Sequence, residues 1–300
     1  MFPVIQVEGQ DFEFFEQLGS KQKFWYDELK YLFKRGRKGT GENWAEVVAA
    51  SIAEALGLPH AEYQLARTAV VEEIWDGVVT PNFVPVGGRL VLGNELIMPP
   101  ISRGERATSQ TRREHHTVNR LMAVFRLPFI LPPVGWDLPA AVAGARGTMA
   151  GYLLLDALIG NQDRHEENWG LVVLPDRRIH LAPTFDHASS LGRNETDATR
   201  QVKLMATRPE HGVEGYAARA NSQLYGRNGR RLKNMELVEE FCKAEPSSCR
   251  YWLDKLRPLD EQFFRRLLNS VPDDWITPLA RDFAIAMLMN NRRKLLEMVP

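Results

Sequence analysis

The sequence holds 300 residues, 44% of them hydrophobic and 25% charged, with 38 basic side chains balanced by 38 acidic ones. This is ordinary globular composition, neither disordered nor membrane-like, and the length suits two compact lobes or one large domain. Zero net charge supplies no global field to favour nucleic acid or a membrane surface. Two cysteines, Cys242 and Cys249, make no disulfide framework, so a reducing cytoplasm is the simplest home.

The N-terminal stretch MFPVIQVEGQDFEFFEQ carries Glu8, Asp11 and Glu13 where a signal peptide needs an apolar run behind positive charge. From there to about residue 95 the text favours strands. VIQVEG, FEFFEQL, KFWYDEL and LKYLFKRG are rich in β-branched and aromatic residues and are punctuated by glycine. EQLGSKQKFW reads as strand–turn–strand with Gly19, Ser20 and Lys21 at its tip, where backbone N–H groups could cover a phosphate. A plain hairpin turn has the same text. One helix interrupts the strands, NWAEVVAASIAEALG, with Asn43 placed to cap it and Gly57 to stop it. Strand text resumes with EYQLARTAVVEEIW, GVVTPNFVP and GGRLVLGNEL.

PPISRGERATSQ, around residues 99–110, reads as a joint. Beyond it SQTRREHHTVNRLMAVF, LPAAVAGARGTMAGYLLLDALIG and TPLARDFAIAMLMNNRRKLLEMV carry apolar residues at helical spacing. Thr277 is placed to cap the last of these, and Pro278 stands at its first position. The longest apolar stretch, MAGYLLLDALIG, is interrupted by Asp156 and is too short to span a bilayer. His115 and His116 are expected on a helix surface, since nothing near them in sequence completes a metal set. Seven tryptophans are scattered without a stacking ladder, so direct nucleic-acid binding is not expected. The expected architecture is α+β in two lobes: a small β-rich lobe over residues 1–98 and a larger helical lobe over 99–300, with ligands between them.

Chemistry concentrates in GNQDRHEENWG at 160–170 and TFDHASSLG at 184–192. The apolar helix ends near Gly160, so Asp163 to Asn168 fall on a loop. LVVL and RIHLA read as two strands about a PDRR turn, and that hairpin returns Asp186 to the side of Asn168. Phosphoryl transfer from ATP needs this inventory: one carboxylate to take the acceptor's proton, and a second carboxylate with an amide oxygen to hold Mg²⁺. Asp163 is then the base, and Asn168 and Asp186 are the metal ligands. A metal-dependent hydrolase centre of Asp163, His165, Asp186 and His187 is the competing chemistry. The first lobe separates the two, because a hydrolase has no need of a lobe that grips ATP. Lys34 ends the strand-like YLFK, where a lysine can reach ATP phosphates. Glu46, in the following helix, could pair with it. Asn43-x-x-Glu46 is also a capping-box spacing that would spend Glu46 on its own helix.

With LFK and WAEVVAASIAEALGLPHAEYQLA upstream, these stretches resemble the HipA-like serine/threonine kinases, over roughly residues 15–300. The catalytic stretch is also distantly similar to that of phosphatidylinositol 3- and 4-kinases. The resemblance implies a protein-kinase-like fold with ATP and Mg²⁺ as cofactors. It makes Asp163 the catalytic base, His165 a catalytic-loop phosphate contact, Asn168 and Asp186 the Mg²⁺ ligands, and Lys34 the ATP lysine. Adenine would lie against Pro81 and Phe83 in TPNFVP, with GNEL at 93–96 as the competing position. The implied substrate is a protein Ser or Thr, with a small molecule, a lipid headgroup or a catalytically silent binding module as alternatives. Regulatory autophosphorylation in such kinases falls on a loop serine, and Ser20 is the one serine of that loop. Full-length HipA-like toxins carry a further N-terminal region ahead of the phosphate loop, whereas this sequence begins almost at the loop. An antitoxin-like partner is implied only as far as that difference allows.

Overall fold

The computed structural model describes residues 1–8, 14–15, 22–70, 73–99 and 107–298. In chain order, β1 (Val4–Val7), β2 (Phe14–Phe15), β3 (Lys23–Tyr26) and β4 (Tyr31–Arg35) lead to helix α1 (Glu42–Leu56), then to β5 (Gln64–Val70) and β6 (Glu73–Pro81). These strands form one six-stranded sheet in the order β1-β5-β6-β4-β3-β2, antiparallel except where β1 lies parallel to β5. Phe24, Phe33, Ala66, Trp75 and Val79 alternate inward to fill one face, as a half-buried sheet requires. Val47 and Ala50 of α1 pack with Leu65 and Val78 on the other face.

β7 (Arg89–Leu92) and α2 (Gly93–Ile97) follow, then α3 (Ser109–His115), α4 (Val118–Phe125), β8 (Ile130–Leu131), α5 (Gly144–Ile159), β9 (Gly170–Val173) and β10 (Ile179–Leu181). The remaining elements are α6 (Asp197–Leu204), α7 (Val213–Ala217), β11 (Asn221–Tyr225), β12 (Arg231–Lys233), α8 (Asn234–Ala244), α9 (Pro246–Leu256), α10 (Glu261–Asn269) and α11 (Pro278–Leu296). A second sheet runs β7-β9-β10-β8, and β11 pairs with β12 alone. β7 precedes residue 98 in sequence yet hydrogen-bonds to β9 of the β9–β10 hairpin. α5 is the axis of this half. It is apolar almost all round, as a helix enclosed by others must be, and it packs against α8, α9 and α11.

Several local expectations give way to tertiary contacts. α1 begins at Glu42 with Gly41 at the cap position and no side-chain cap, so Asn43 lies inside the helix. GNEL opens α2 instead of extending a strand, because the amides of Gly93 and Asn94 bond back to the carbonyls of Trp169 and Glu166. A side chain at Gly93 would overlap the Trp169 ring, its Cβ falling 2.3 Å from it. SQTRREHHTVNRLMAVF divides into α3 and α4 where the Thr117 hydroxyl caps α4 by accepting from the Arg120 amide, 3.3 Å. Residues 138–143 stay outside α5, with the Ala143 amide donating to Ser248 Oγ at 3.0 Å. Thr277 and Pro278 start α11 as expected. Cys242 and Cys249 are joined in a disulfide between α8 and α9, against the expectation of two thiols. Composition therefore gives no support for a reducing compartment. No helix among the described residues is long and apolar enough to cross a membrane.

Candidate active site

α5 ends at Gly160, whose φ of +65° suits glycine and turns the chain out of the helix. Asp156, the single charge in the apolar run, then organises the loop that follows. Its carboxylate receives Arg164 in a two-pronged pair (2.7 and 2.8 Å) and the Asn161 side-chain amide at 2.8 Å. Arg164 is itself buried and spends its remaining reach on the Asn168 carbonyl, 2.8 Å, and Thr184 Oγ1, 2.9 Å. A buried arginine with all its arms satisfied fixes three segments to one another.

On this base the loop presents its polar side chains. The Asp163 amide donates to Asn161 Oδ1 at 3.1 Å, and its carboxylate accepts from Ser189 Oγ at 3.1 Å. The His165 ring lies 3.9 Å from Asp163, with Nδ1 accepting from the Glu167 amide. Asn168 donates its side-chain N–H to the Asp163 carbonyl at 2.7 Å, which turns the amide oxygen, the atom a metal would use, the other way. β9 and β10 return the chain as expected, with the Ala182 amide on the Gly170 carbonyl and the Gln162 amide on the Ser189 carbonyl.

Asp186 sits at φ +59°, a left-handed conformation that aspartate tolerates better than most residues. Lys34 Nζ lies 3.9 Å from its carboxylate and 3.4 Å from the Tyr63 hydroxyl, which also accepts from the Asp186 amide at 3.2 Å. Burial works to lower the Lys34 pKa, but Asp186, Tyr63 and Glu46 together outweigh it and hold it above the ordinary lysine value. Burial drives the Tyr63 hydroxyl up, against the opposing pull of Lys34. Lys34 thus stays a cation and Tyr63 a neutral phenol at physiological pH.

Glu46 lends Lys34 charge from a distance but spends its hydrogen bonds elsewhere. Its carboxylate accepts from the backbone amides of His187 (2.6 Å) and Ala188 (3.1 Å), while Lys34 makes its ion pair with Asp186. Four residues earlier on the same face, buried Glu42 binds Arg37 and Arg193. α1 therefore grips the segment after Asp186 at two points. His187 is buried, with Nε2 at 2.8 Å from Thr184 Oγ1, and serves the core. Among the described residues no group of three or more His, Cys, Asp or Glu side chains is placed to hold a metal.

Phe83 stacks on Phe185 with ring centres 5.6 Å apart, beside the Asp186 backbone, while Pro81 ends β6 opposite Tyr31. Gly19, Ser20 and Lys21 lie outside the described residues. His116 is buried, not on a surface. Trp169 Nε1 can only donate, so His116 Nε2 accepts from it at 3.1 Å and Nδ1 donates to the Gln223 carbonyl at 2.9 Å. Burial lowers its pKa to about 4. Glu166 is also buried, paired with Arg112 of α3. Of the groups that sequence reasoning missed, only Asp156 carried a signal: an acid in a fully apolar helix needs a buried cation, and Arg164 was eight residues away.

A cavity of about 280 Å³ opens beside Asp163, lined by it with Ser189, Gly192, Arg193, Asn194 and Tyr216 among others. No family model matches the chain, and no curated protein matches it in sequence. Among solved structures it is similar to the Helicobacter pylori proinflammatory kinase CtkA, with a TM-score of 0.71 at 18% identity over 98% of this chain and 96% of that one. It is also similar to HipA of Shewanella oneidensis, solved with HipB and operator DNA of a toxin–antitoxin system. There the TM-score is 0.52 at 12% identity, over 96% of this chain and 65% of HipA, so the chain spans just under two thirds of that length. At such identities the likeness is one of fold: the chain has the two-lobe α+β architecture of HipA-like kinases.

Proposed function

We propose that the chain is an ATP- and Mg²⁺-dependent phosphotransferase acting on protein Ser/Thr hydroxyls. The observation that carries the proposal is the link between the Lys34–Asp186 ion pair and the Asp163–Asn168 loop, made by Ser189, which follows Asp186 by three residues and donates to the Asp163 carboxylate. A buried lysine held charged suits a nucleotide polyphosphate. The Asn168 amide oxygen, turned away from the Asp163 carbonyl, and the exposed edge of the Asp186 carboxylate suit a hard, oxygen-seeking cation. When bound, Mg²⁺ would neutralise charge on the transferring phosphoryl group.

Asp163 accepts the proton of the acceptor hydroxyl as its oxygen bonds to the γ-phosphorus and the bond to the ADP oxygen breaks. In this reading His165, 3.9 Å from Asp163, contacts a phosphate. Adenine rests against the segment from Pro81 to Phe83, because the amides of Gly93 and Asn94 in GNEL already serve the catalytic loop. Gly19, Ser20 and Lys21 cover the phosphates, and Ser20 is the expected autophosphorylation site. Residues 1–98 form the ATP-binding lobe and 99–300 the catalytic lobe. HipA's complex with HipB makes an antitoxin-like protein the first partner to seek.

The test is a thermal-shift titration joined to transfer from labelled ATP. ATP should raise the melting temperature more with Mg²⁺ than with EDTA, by the equivalent of about 2.7 kcal/mol at a hundredfold excess over Kd. Asp163→Asn should abolish transfer and leave ATP affinity intact. A shift indifferent to metal, or full turnover in that variant, rejects the proposal.

A further inference from the structure

We infer that Ser189 and Arg193 form a positioning chain that sets the rotation of the Asp163 carboxylate and ties the base to helix α1. The inference rests on the kinase reading and adds to it two residues outside the expected site.

The direction of each hydrogen bond follows from chemistry. A guanidinium has donors and no acceptor, so Arg193 Nη2, 2.9 Å from Ser189 Oγ, occupies a lone pair of that hydroxyl. The single hydroxyl proton then goes to Asp163 Oδ2 at 3.1 Å. Among the described residues this is the one hydrogen bond made to that carboxylate, and it leaves Oδ1 to meet an acceptor. Without Ser189 the carboxylate could turn about its last torsion, which is soft for aspartate.

The far end of the chain is built into the fold. Arg193 Nη1 binds Glu42, which is 2% exposed and also receives the Arg37 side chain at 2.7 Å and the Arg37 amide at 3.1 Å. The Gly41 amide donates to the Arg193 carbonyl at 2.9 Å, which fixes the backbone beneath the guanidinium. Burial, then Arg37, lowers the Arg193 pKa to about 10, so it remains a charged donor at neutral pH. Asp163, Ser189 and Arg193 all line the 280 Å³ cavity, so the chain runs along the wall the acceptor would face. A movement of the α1 N-terminus reaches the base through two side chains.

The test measures labelled-phosphate transfer from Mg²⁺–ATP to the chain itself and to a mixed Ser/Thr peptide library. Ser189→Ala should lower the transfer rate constant by about 10- to 100-fold, the scale on which small misplacements act. KM for ATP and the melting temperature should stay unchanged. Ser189→Thr, which keeps the hydroxyl, should restore the rate. Arg193→Ala should match Ser189→Ala, and the double variant should fall no further, because one residue acts through the other. Arg193→Lys retains charge but cannot span Glu42 and Ser189, and gives the same reading should an alanine variant unfold. A wild-type rate in Ser189→Ala beside an inactive Asp163→Asn overturns the positioning chain alone. Fully additive losses in the double variant also overturn it. An active Asp163→Asn, or a wild type without transfer, overturns the kinase reading and this inference with it.

Discussion

The two segments joined by the Ser189–Asp163 hydrogen bond are secured in opposite ways. The Asp163–Asn168 loop is held largely by its own half of the molecule, through the buried Arg164–Asp156 pair and the Trp169–His116 contact, with two further bonds from the Gly93 and Asn94 amides. The segment from Asp186 to Arg193 is held largely by groups that precede residue 64 in sequence: Lys34, Glu42, Glu46 and Tyr63. Asp163 thus stands on a loop whose backbone is anchored at α5, whereas Asp186 is placed by how the β-rich half sits. A site divided in this way can be disabled without unfolding either half.

The largest effect should come from breaking the inner anchor. Arg164→Leu strands the Asp156 carboxylate in the core and should cost about 3–5 kcal/mol, read as a fall in urea midpoint with unchanged m. A loss of activity with full stability would show that the loop is not anchored there. Next in size is a pH effect on the same loop. His116 titrates near 6.5 when unfolded and at about 4 when folded, so the unfolded chain takes up the proton first. Its contribution is complete above pH 6.5 and is lost as pH falls toward 4, amounting to roughly 3 kcal/mol. His116→Gln should remove that component of the acid limb in a urea series across this window.

The outer anchor should respond differently. Glu46→Gln replaces one of two acceptors with a donor facing a buried amide, at a cost of about 1–3 kcal/mol. Mg²⁺–ATP affinity should fall with it, measured by calorimetry, while Asp163 keeps its place. Tyr63→Phe, the mildest, leaves the Asp186 amide without its phenol and should cost about 1 kcal/mol in the same assay. If either variant destabilises the protein as much as Arg164→Leu, the contrast between the loops fails.

What was legible in the sequence was what is local. Asp163, Asn168 and the hairpin leading to Asp186 lie within 24 residues, and turn chemistry with period-two strands is enough to fold them together. Lys34 was legible as a strand end. Glu46 was misread in both directions because its partners, His187 and Ala188, lie 141 and 142 residues away. A capping spacing describes the near end of a helix, and nothing in it reports a distant amide. His116 failed for the same reason: its burial depends on Trp169 and β11, not on its neighbours. A cysteine count says nothing of the disulfide, although the six residues between Cys242 of α8 and Cys249 of α9 make an easy closure.

The pairing of β7 with β9 bears on any attempt to dissect the molecule. A fragment starting at residue 99 would remove β7 and turn β9, now flanked on both sides, into a bare border with unsatisfied amides and carbonyls. Such a border templates the addition of foreign strands. That fragment should come out of expression as aggregate, whereas one starting at residue 84 carries its own covering strand and should remain dispersed. For protein engineers, the safe cut lies ahead of Arg89, not at the joint that the text of the chain advertises.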